Sequence, residues 1–127
     1  MDICEFFKHA RNKITLPAGQ LLFSEGEVGS VMYVLLDGTA SVVARASVME
    51  LATPGAILGE MSLIDDSVRS ATVMARTECL LLAIGRAEFD LLIRETPAFA
   101  RHVMGVMASR LRRMNERMEE IYQTRLV

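Results

Sequence analysis

The fourteen residues Val31-Met32-Tyr33-Val34-Leu35-Leu36-Asp37-Gly38-Thr39-Ala40-Ser41-Val42-Val43-Ala44 decide the class of fold. Two apolar runs rich in Val and Leu, too short for a helix of ordinary length, flank an Asp-Gly pair. Asp-Gly tolerates positive φ at both turn positions, so the segment reads as two strands joined by a tight hairpin turn. The same punctuation recurs on both sides, at Pro17-Ala18-Gly19, Glu25-Gly26 and Thr53-Pro54-Gly55. Short strands between regularly spaced turns favour an all-β sandwich or barrel from Ile14 to Ile84. Val73–Ala75 and Cys79–Ile84 read as a further hairpin. In the latter run Leu80, Leu82 and Ile84 alternate with Cys79, Leu81 and Ala83, so both faces are apolar, as expected of a strand inside a closed roll.

After Gly85 the apolar period becomes helical. Arg86–Glu95 carries Phe89, Leu92 and Ile93 on one side. Thr96-Pro97 supplies an N-cap residue and a first helical residue for a long helix running to about Tyr122. Along that helix Ala100, Met104, Met107, Leu111, Met114, Met118 and Ile121 are spaced alternately by four and three, a seam of three heptads. Its first half has two readings, packing on the domain's own strands or on a second helix. Beyond Leu111 a domain this small has no surface left to cover, and a helix–helix homodimer is the expected use. Arg110, Arg112 and Arg113 are expected on a solvated face, with acidic partners one turn on.

The 127 residues suffice for one domain, 1–127, with its own core. At 51% hydrophobic residues, some apolar surface is expected to meet a partner. The net charge of −2 leaves no basic footprint for direct nucleic-acid contact or for an anionic membrane. Cys4 and Cys79 lack metal-ligand or disulfide-framework spacing and suit a reducing, cytoplasmic setting. Met1 to Arg11 is too short and charged for a signal peptide, and no apolar run reaches membrane-spanning length. Asp65-Asp66 is read as solvated turn. His9 and His102 fall outside the barrel strands, which argues against a small β-barrel metalloenzyme, and two cysteines argue against an iron–sulfur or haem sensor. No nucleophile paired with a histidine and no phosphate loop occurs, so the chain is expected to be non-catalytic and without a cofactor.

Chemistry concentrates in Gly59-Glu60-Met61-Ser62 and Arg69-Ser70-Ala71-Thr72-Val73. A lone carboxylate and a lone guanidinium stand nine positions apart at the ends of a short loop. Gly59, Ser62 and the backbone after Met61 can offer free N–H groups. Residues 62–65 are expected to form one helical turn whose N–H groups favour an anion. One arginine balances one singly charged phosphate ester, and its planar fork suits phosphate oxygens better than lysine does. The bland alternative is that Glu60 and Arg69 simply pair with each other across a strand end.

A β-roll ending in these residues, with about ten positions to Arg-Ser-Ala-Thr-Val and then two helices, resembles the cyclic nucleotide-binding domain of the catabolite-activator type, from about Ile14 to about Asn115. The resemblance implies a mainly β fold: an antiparallel β-roll or jelly roll (double-stranded β-helix) over about 14–84, a short helix over about 86–95 and a long C-terminal helix over about 97–122. It implies that Glu60 accepts from the ribose 2′-OH and that Arg69 pairs with the exocyclic phosphate oxygens. Ser70 matches the small hydroxyl position beside the arginine, with Ala71 next in the motif, and Ser62 the small residue whose N–H faces the phosphate. Gly26, Gly38 and Gly55 match turn glycines. Asn115 falls where the base is contacted, with Met114 able only to pack there. Val68 replaces a frequent proline and Leu58 a frequent aromatic, and neither removes a ligand group. The expected function is a cyclic nucleotide sensor, with cyclic AMP favoured over cyclic GMP, signalling as a homodimer through its last helix to an effector protein. A structural dimerisation module of the same fold that binds no ligand is the alternative.

Overall fold

The computed structural model describes residues 1–44 and 47–126. Its elements run α1 (Ile3–Phe6), β1 (Lys13–Leu16), β2 (Leu21–Phe23), β3 (Val31–Asp37), β4 (Ala40–Ala44), β5 (Ser47–Ala52), β6 (Ile57–Leu58), α2 (Met61–Ile64), β7 (Thr72–Ala75), β8 (Cys79–Gly85), α3 (Arg86–Glu95) and α4 (Pro97–Leu126). Two four-stranded antiparallel sheets form, ordered β1-β8-β3-β6 and β2-β7-β4-β5. This is the expected β-roll followed by a short and a long helix. The short α1, capped by Asp2 donating no proton but accepting from the Glu5 N–H at 3.2 Å, was not legible in the sequence.

The Asp37-Gly38 turn corrects one expectation. β3 and β4 do not pair with each other: β3 lies between β8 and β6, and β4 between β7 and β5. The turn is a corner that carries the chain from one sheet to the other. The link from β7 to β8 does the same, so Val73–Ala75 and Cys79–Ile84 are not a hairpin either. The two corners stack. The Thr39 N–H donates to Thr77 Oγ1 at 2.9 Å, and the Arg76 N–H donates to the Thr39 carbonyl at 2.9 Å. Gly38 adopts φ +87°, as an Asp-Gly turn requires, and a Cβ there would lie 2.2 Å from the Glu78 carbonyl oxygen. Asp-Gly therefore marks a sharp turn correctly, but it does not determine which strands pair.

The switch between sheets explains the doubly apolar strands. Met32 and Val34 of β3, Leu82 and Ile84 of β8 and Ile57 of β6 face a helical layer, where they meet Ile3, Phe7, Leu63, Phe89, Phe99 and Val103. Leu35, Leu81, Cys79 and Leu58 face inward, where they meet Phe23, Ala40, Val42, Ala52, Ala71, Val73 and Ala75 from the second sheet. The first sheet is thus sandwiched between two cores and needs apolar residues on both sides. Phe99, fully buried, fixes the start of α4 through edge-on contacts with Phe7 and Phe89 at centroid distances of 6.0 and 6.1 Å.

The helices start as expected, and α4 runs four residues beyond Tyr122, to Leu126. In α3 Phe89 is buried, Leu92 packs on the core, and Ile93 is turned out to solvent. The face of α4 that covers the roll is Phe99, Val103, Val106 and Met107. Most of the expected heptad seam lies beside that face: Met104, Leu111, Met114, Met118 and Ile121 are all more than half exposed.

Two glycines give opposite predictions. Gly38→Ala forces a Cβ onto a backbone carbonyl at positive φ and is expected to lower stability by about 2 kcal/mol or more, a fall in Tm on the order of 8 °C. Gly105→Ala, inside α4 with open space around its Cβ, is expected to raise stability by up to about 1 kcal/mol. Thermal and urea unfolding of the two variants checks both signs.

Candidate ligand site

The loop between β6 and β7 wraps one end of a cavity of about 460 Å³. Its floor is the inner face of the second sheet, with Val42, Ala44 and Val73, and one wall is α4. Gly59, Glu60, Met61, Ser62, Arg69, Ser70 and Ala71 all line it. The helical turn expected over 62–65 is α2, displaced by one residue to Met61–Ile64. Ser62 is buried at the cavity wall, and Ser70 is exposed.

Arg69 is fixed first through its backbone. Its N–H donates to the Glu27 carbonyl and its carbonyl accepts from the Gly26 N–H, both at 2.8 Å. The side chain then passes over the Phe23 ring, its guanidinium carbon 4.2 Å from the centroid. Nη2 donates to the Val31 carbonyl at 2.7 Å and Nη1 to the Gly59 carbonyl at 3.1 Å. The passage is made by two glycines: a Cβ at Gly29 would lie 2.2 Å from Arg69 Nε, and one at Gly59 would lie 2.3 Å from Nη1. Gly59 also takes φ +78°. Arg69 is 5% exposed, and burial pulls its pKa down from the ordinary arginine value. Among the described residues no carboxylate forms a salt bridge with it. Carbonyl dipoles hold the guanidinium without cancelling its charge, and two of its five donors are engaged. The site therefore presents a buried, preoriented cation to an anion.

Glu60 does not pair with Arg69, so the bland alternative fails. It begins α2 with its carboxylate 2% exposed, and Arg110 of α4 reaches back across the cavity to Glu60 Oε1. Arg110 Nη2 donates to the Ile57 carbonyl at 2.6 Å and lies 3.4 Å from Glu50 Oε1. Arg113 Nη2 lies 3.5 Å from Glu50 Oε2. These contacts correct the solvated-face expectation for Arg110 and Arg113: their acidic partners come from the roll, because the 110, 113, 114 and 117 positions form one helical stripe facing the cavity. Asn115 is turned about 100° from Met114 around that helix. It is exposed and lies outside the cavity lining. Phe23, Gly29, Val31, Glu50 and Arg110 were missed by sequence reading. Only Arg110, four residues before Met114 on the same face, left a positional signal.

Burial raises the Glu60 pKa above its ordinary value of 4.5; Arg110 opposes this and the Glu50 charge adds to it. An acid whose folded pKa is raised stabilises the fold below its unfolded pKa, and that contribution is lost as pH rises through the folded value. The stability of the wild type relative to Glu60→Gln, which does not titrate, is therefore expected to decrease as pH rises from about 4 to 8. Urea unfolding of both proteins across that range checks the sign.

The sequence of residues 13–96 matches the family model described as the cyclic nucleotide-binding domain. The chain is 33% identical over 101 residues to the cyclic AMP receptor protein of Thermus thermophilus, covering 76% of this chain and 47% of that protein. It is 42% identical over 86 residues to a cyclic nucleotide-gated potassium channel of Mesorhizobium japonicum, covering 68% of this chain and 24% of the channel. The crystal structure of the Thermus thermophilus catabolite activator protein superposes with a TM-score of 0.79 at 29% identity, covering 87% of this chain and 54% of that one. The chain thus spans about half or less of the length of these relatives. No helix among the described residues is long and apolar enough to cross a membrane. With its two-sheet roll, its glycine-lined arginine and its buried glutamate in one loop, the chain belongs to the cyclic nucleotide-binding domain family.

Proposed function

We propose that this domain is a regulatory module that binds a cyclic nucleotide, cyclic AMP in preference to cyclic GMP, and signals through α4 as a homodimer to an effector protein. The observation that carries the binding reading is Arg69: buried, aimed into a cavity, and held by carbonyls that leave its charge uncancelled. A cyclic phosphodiester carries one negative charge and no titrating proton near neutrality, which this single cation balances. Met61 and Ser62 bring backbone N–H groups of the first turn of α2 to the same cavity. Glu60 faces the ribose, and the apolar inner face of the second sheet receives the base. The preference for cyclic AMP draws on the name of the Thermus thermophilus relative.

The signalling reading rests on α4. Its cavity-facing stripe and its exposed apolar seam belong to one continuous helix, so a ligand that rearranges contacts at Arg110 shifts the surface offered by Met114, Met118 and Ile121. Such a shift requires a ligand that contacts the two states differently.

Calorimetric titration of nucleotide-free protein with cyclic AMP and cyclic GMP tests the reading directly. Saturable binding is expected, and Arg69→Lys is expected to weaken it by roughly thirtyfold, about 2 kcal/mol, because the charge remains while the planar fork is lost. No heat with either nucleotide would leave the ligand-free dimerisation module as the better reading. For the dimer, sedimentation velocity is expected to show a two-chain species that Met118→Glu converts to monomer with the Tm of the isolated chain retained. A wild type still monomeric at about 100 μM, a concentration at which a dimer with a Kd well below it would be assembled, would refute the helix–helix interface.

A further inference from the structure

Glu50 is a carboxylate where the strand pattern calls for an apolar residue. It lies directly across from Val42 in the β4–β5 register, and Val42 faces the inner core. Glu50 therefore points inward as well, lines the cavity, and keeps only 23% of its side chain exposed. Its two oxygens are divided between two arginines of α4, with Oε1 on Arg110 and Oε2 on Arg113.

The effect on Arg110 matters for the site. A guanidinium alone with a carboxylate favours the two-pronged pairing in which both nitrogens meet both oxygens. Here the fork is split. Nη1 goes to Glu60 Oε1, while Nη2 goes to the Ile57 carbonyl and toward Glu50. Glu60 is thus gripped through one oxygen only. Among the described residues Glu50 is the one other carboxylate paired with Arg110, so its removal leaves only the neutral Ile57 carbonyl, 2.6 Å from Nη2, to compete with Glu60 for the second branch. A two-pronged pair would engage both Glu60 oxygens and leave no oxygen free of the arginine to accept from a sugar hydroxyl, which weakens that bond.

We propose that Glu50 is a positioning residue: together with the Ile57 carbonyl it draws the second branch of Arg110 away from Glu60, and so keeps one Glu60 oxygen free of the arginine to accept from the ribose hydroxyl of the ligand. This rests on the reading that the cavity binds a ribonucleotide with Glu60 at its sugar. Glu50 does not touch the ligand in this scheme. Its action is confined to one hydroxyl, so it governs discrimination between ribose and deoxyribose and leaves phosphate and base recognition alone.

The test is calorimetric, with cyclic AMP and cyclic GMP, each beside its 2′-deoxy analogue, on wild type, Glu50→Gln and Glu50→Asp. Wild type is expected to bind the ribose form about ten- to a hundredfold tighter, as for one hydrogen bond to a charged acceptor. In Glu50→Gln that ratio is expected to fall below about threefold, with the 2′-deoxy affinity within about twofold of wild type, and Glu50→Asp is expected to restore part of the preference. An unchanged ratio in Glu50→Gln, or an equal loss for both sugars, overturns the positioning role while nucleotide binding stands. A wild type that binds ribose and deoxyribose forms equally also overturns it, and a wild type that binds neither overturns the binding reading with it. Should Glu50→Gln fail to unfold cooperatively, Glu50→Asp decides: its shorter carboxylate is expected to leave a ratio between about threefold and that of wild type, and an unchanged ratio, or an equal loss for both sugars, would refute the proposal.

Discussion

A carboxylate withdrawn from water must be matched by a cation, and the cation that meets Glu60 comes from a helix fifty positions further along the chain. Much of the arrangement around the cavity follows from this requirement. Glu60 is buried because α2 packs its Leu63 into the core below the helical layer. Arg110 must therefore enter the cavity, and α4 must run across the open side of the roll to deliver it. Phe99 and Val103 seat the first turns of the helix so that the 110 position arrives in the right place. Burial still outweighs the attraction of Arg110, which is why the Glu60 pKa stays raised. Burying the Glu60 carboxylate therefore carries an electrostatic cost that a well-placed hydroxyl donor can offset.

Two of the arginines that line the cavity, Arg69 and Arg110, are used in contrasting ways. Arg69 is surrounded by carbonyl oxygens, an aromatic ring and the bare backbones of Gly29 and Gly59, all of which orient a guanidinium but leave its charge intact. Arg110 lies between carboxylates, which largely neutralise it. A residue type alone does not reveal which of these roles it plays. The first arrangement suits the recognition of an anion, and the second ties a helix to a roll.

The sequence made much of this architecture legible. Alternation with both faces apolar at Cys79–Ile84 pointed to a strand inside a closed roll, and in the structure Leu81 and Leu82 face two separate cores. The switch of period at Gly85 placed the short helix and the long one. Pairing was the harder inference. Asp37-Gly38 specifies a backbone conformation, and a corner between sheets needs that conformation as much as a hairpin does. At the site, the residues of the 59–71 loop could be read because they are contiguous. Glu50 and Arg110 could not, because their meaning depends on a strand and a helix that are far apart in sequence. Phe23 and Gly29 act only on the path of another side chain, which no local pattern encodes.

The order of the first sheet has a consequence for how the chain reaches this state. Among the described residues β1 has its only sheet partner in β8, with Lys13 opposite Leu82. The first strand of the domain therefore remains unpaired until the last has been made. Closing a loop of that length must precede any gain from the contacts it allows, which places the domain among the slower-folding small topologies. During synthesis the doubly apolar β3 emerges well before β8, its central neighbour. Until then it is an exposed, β-prone segment of the kind on which chaperones and aggregation compete. The same placement of β8 at the centre of the sheet that gives the domain its two cores also delays the completion of either.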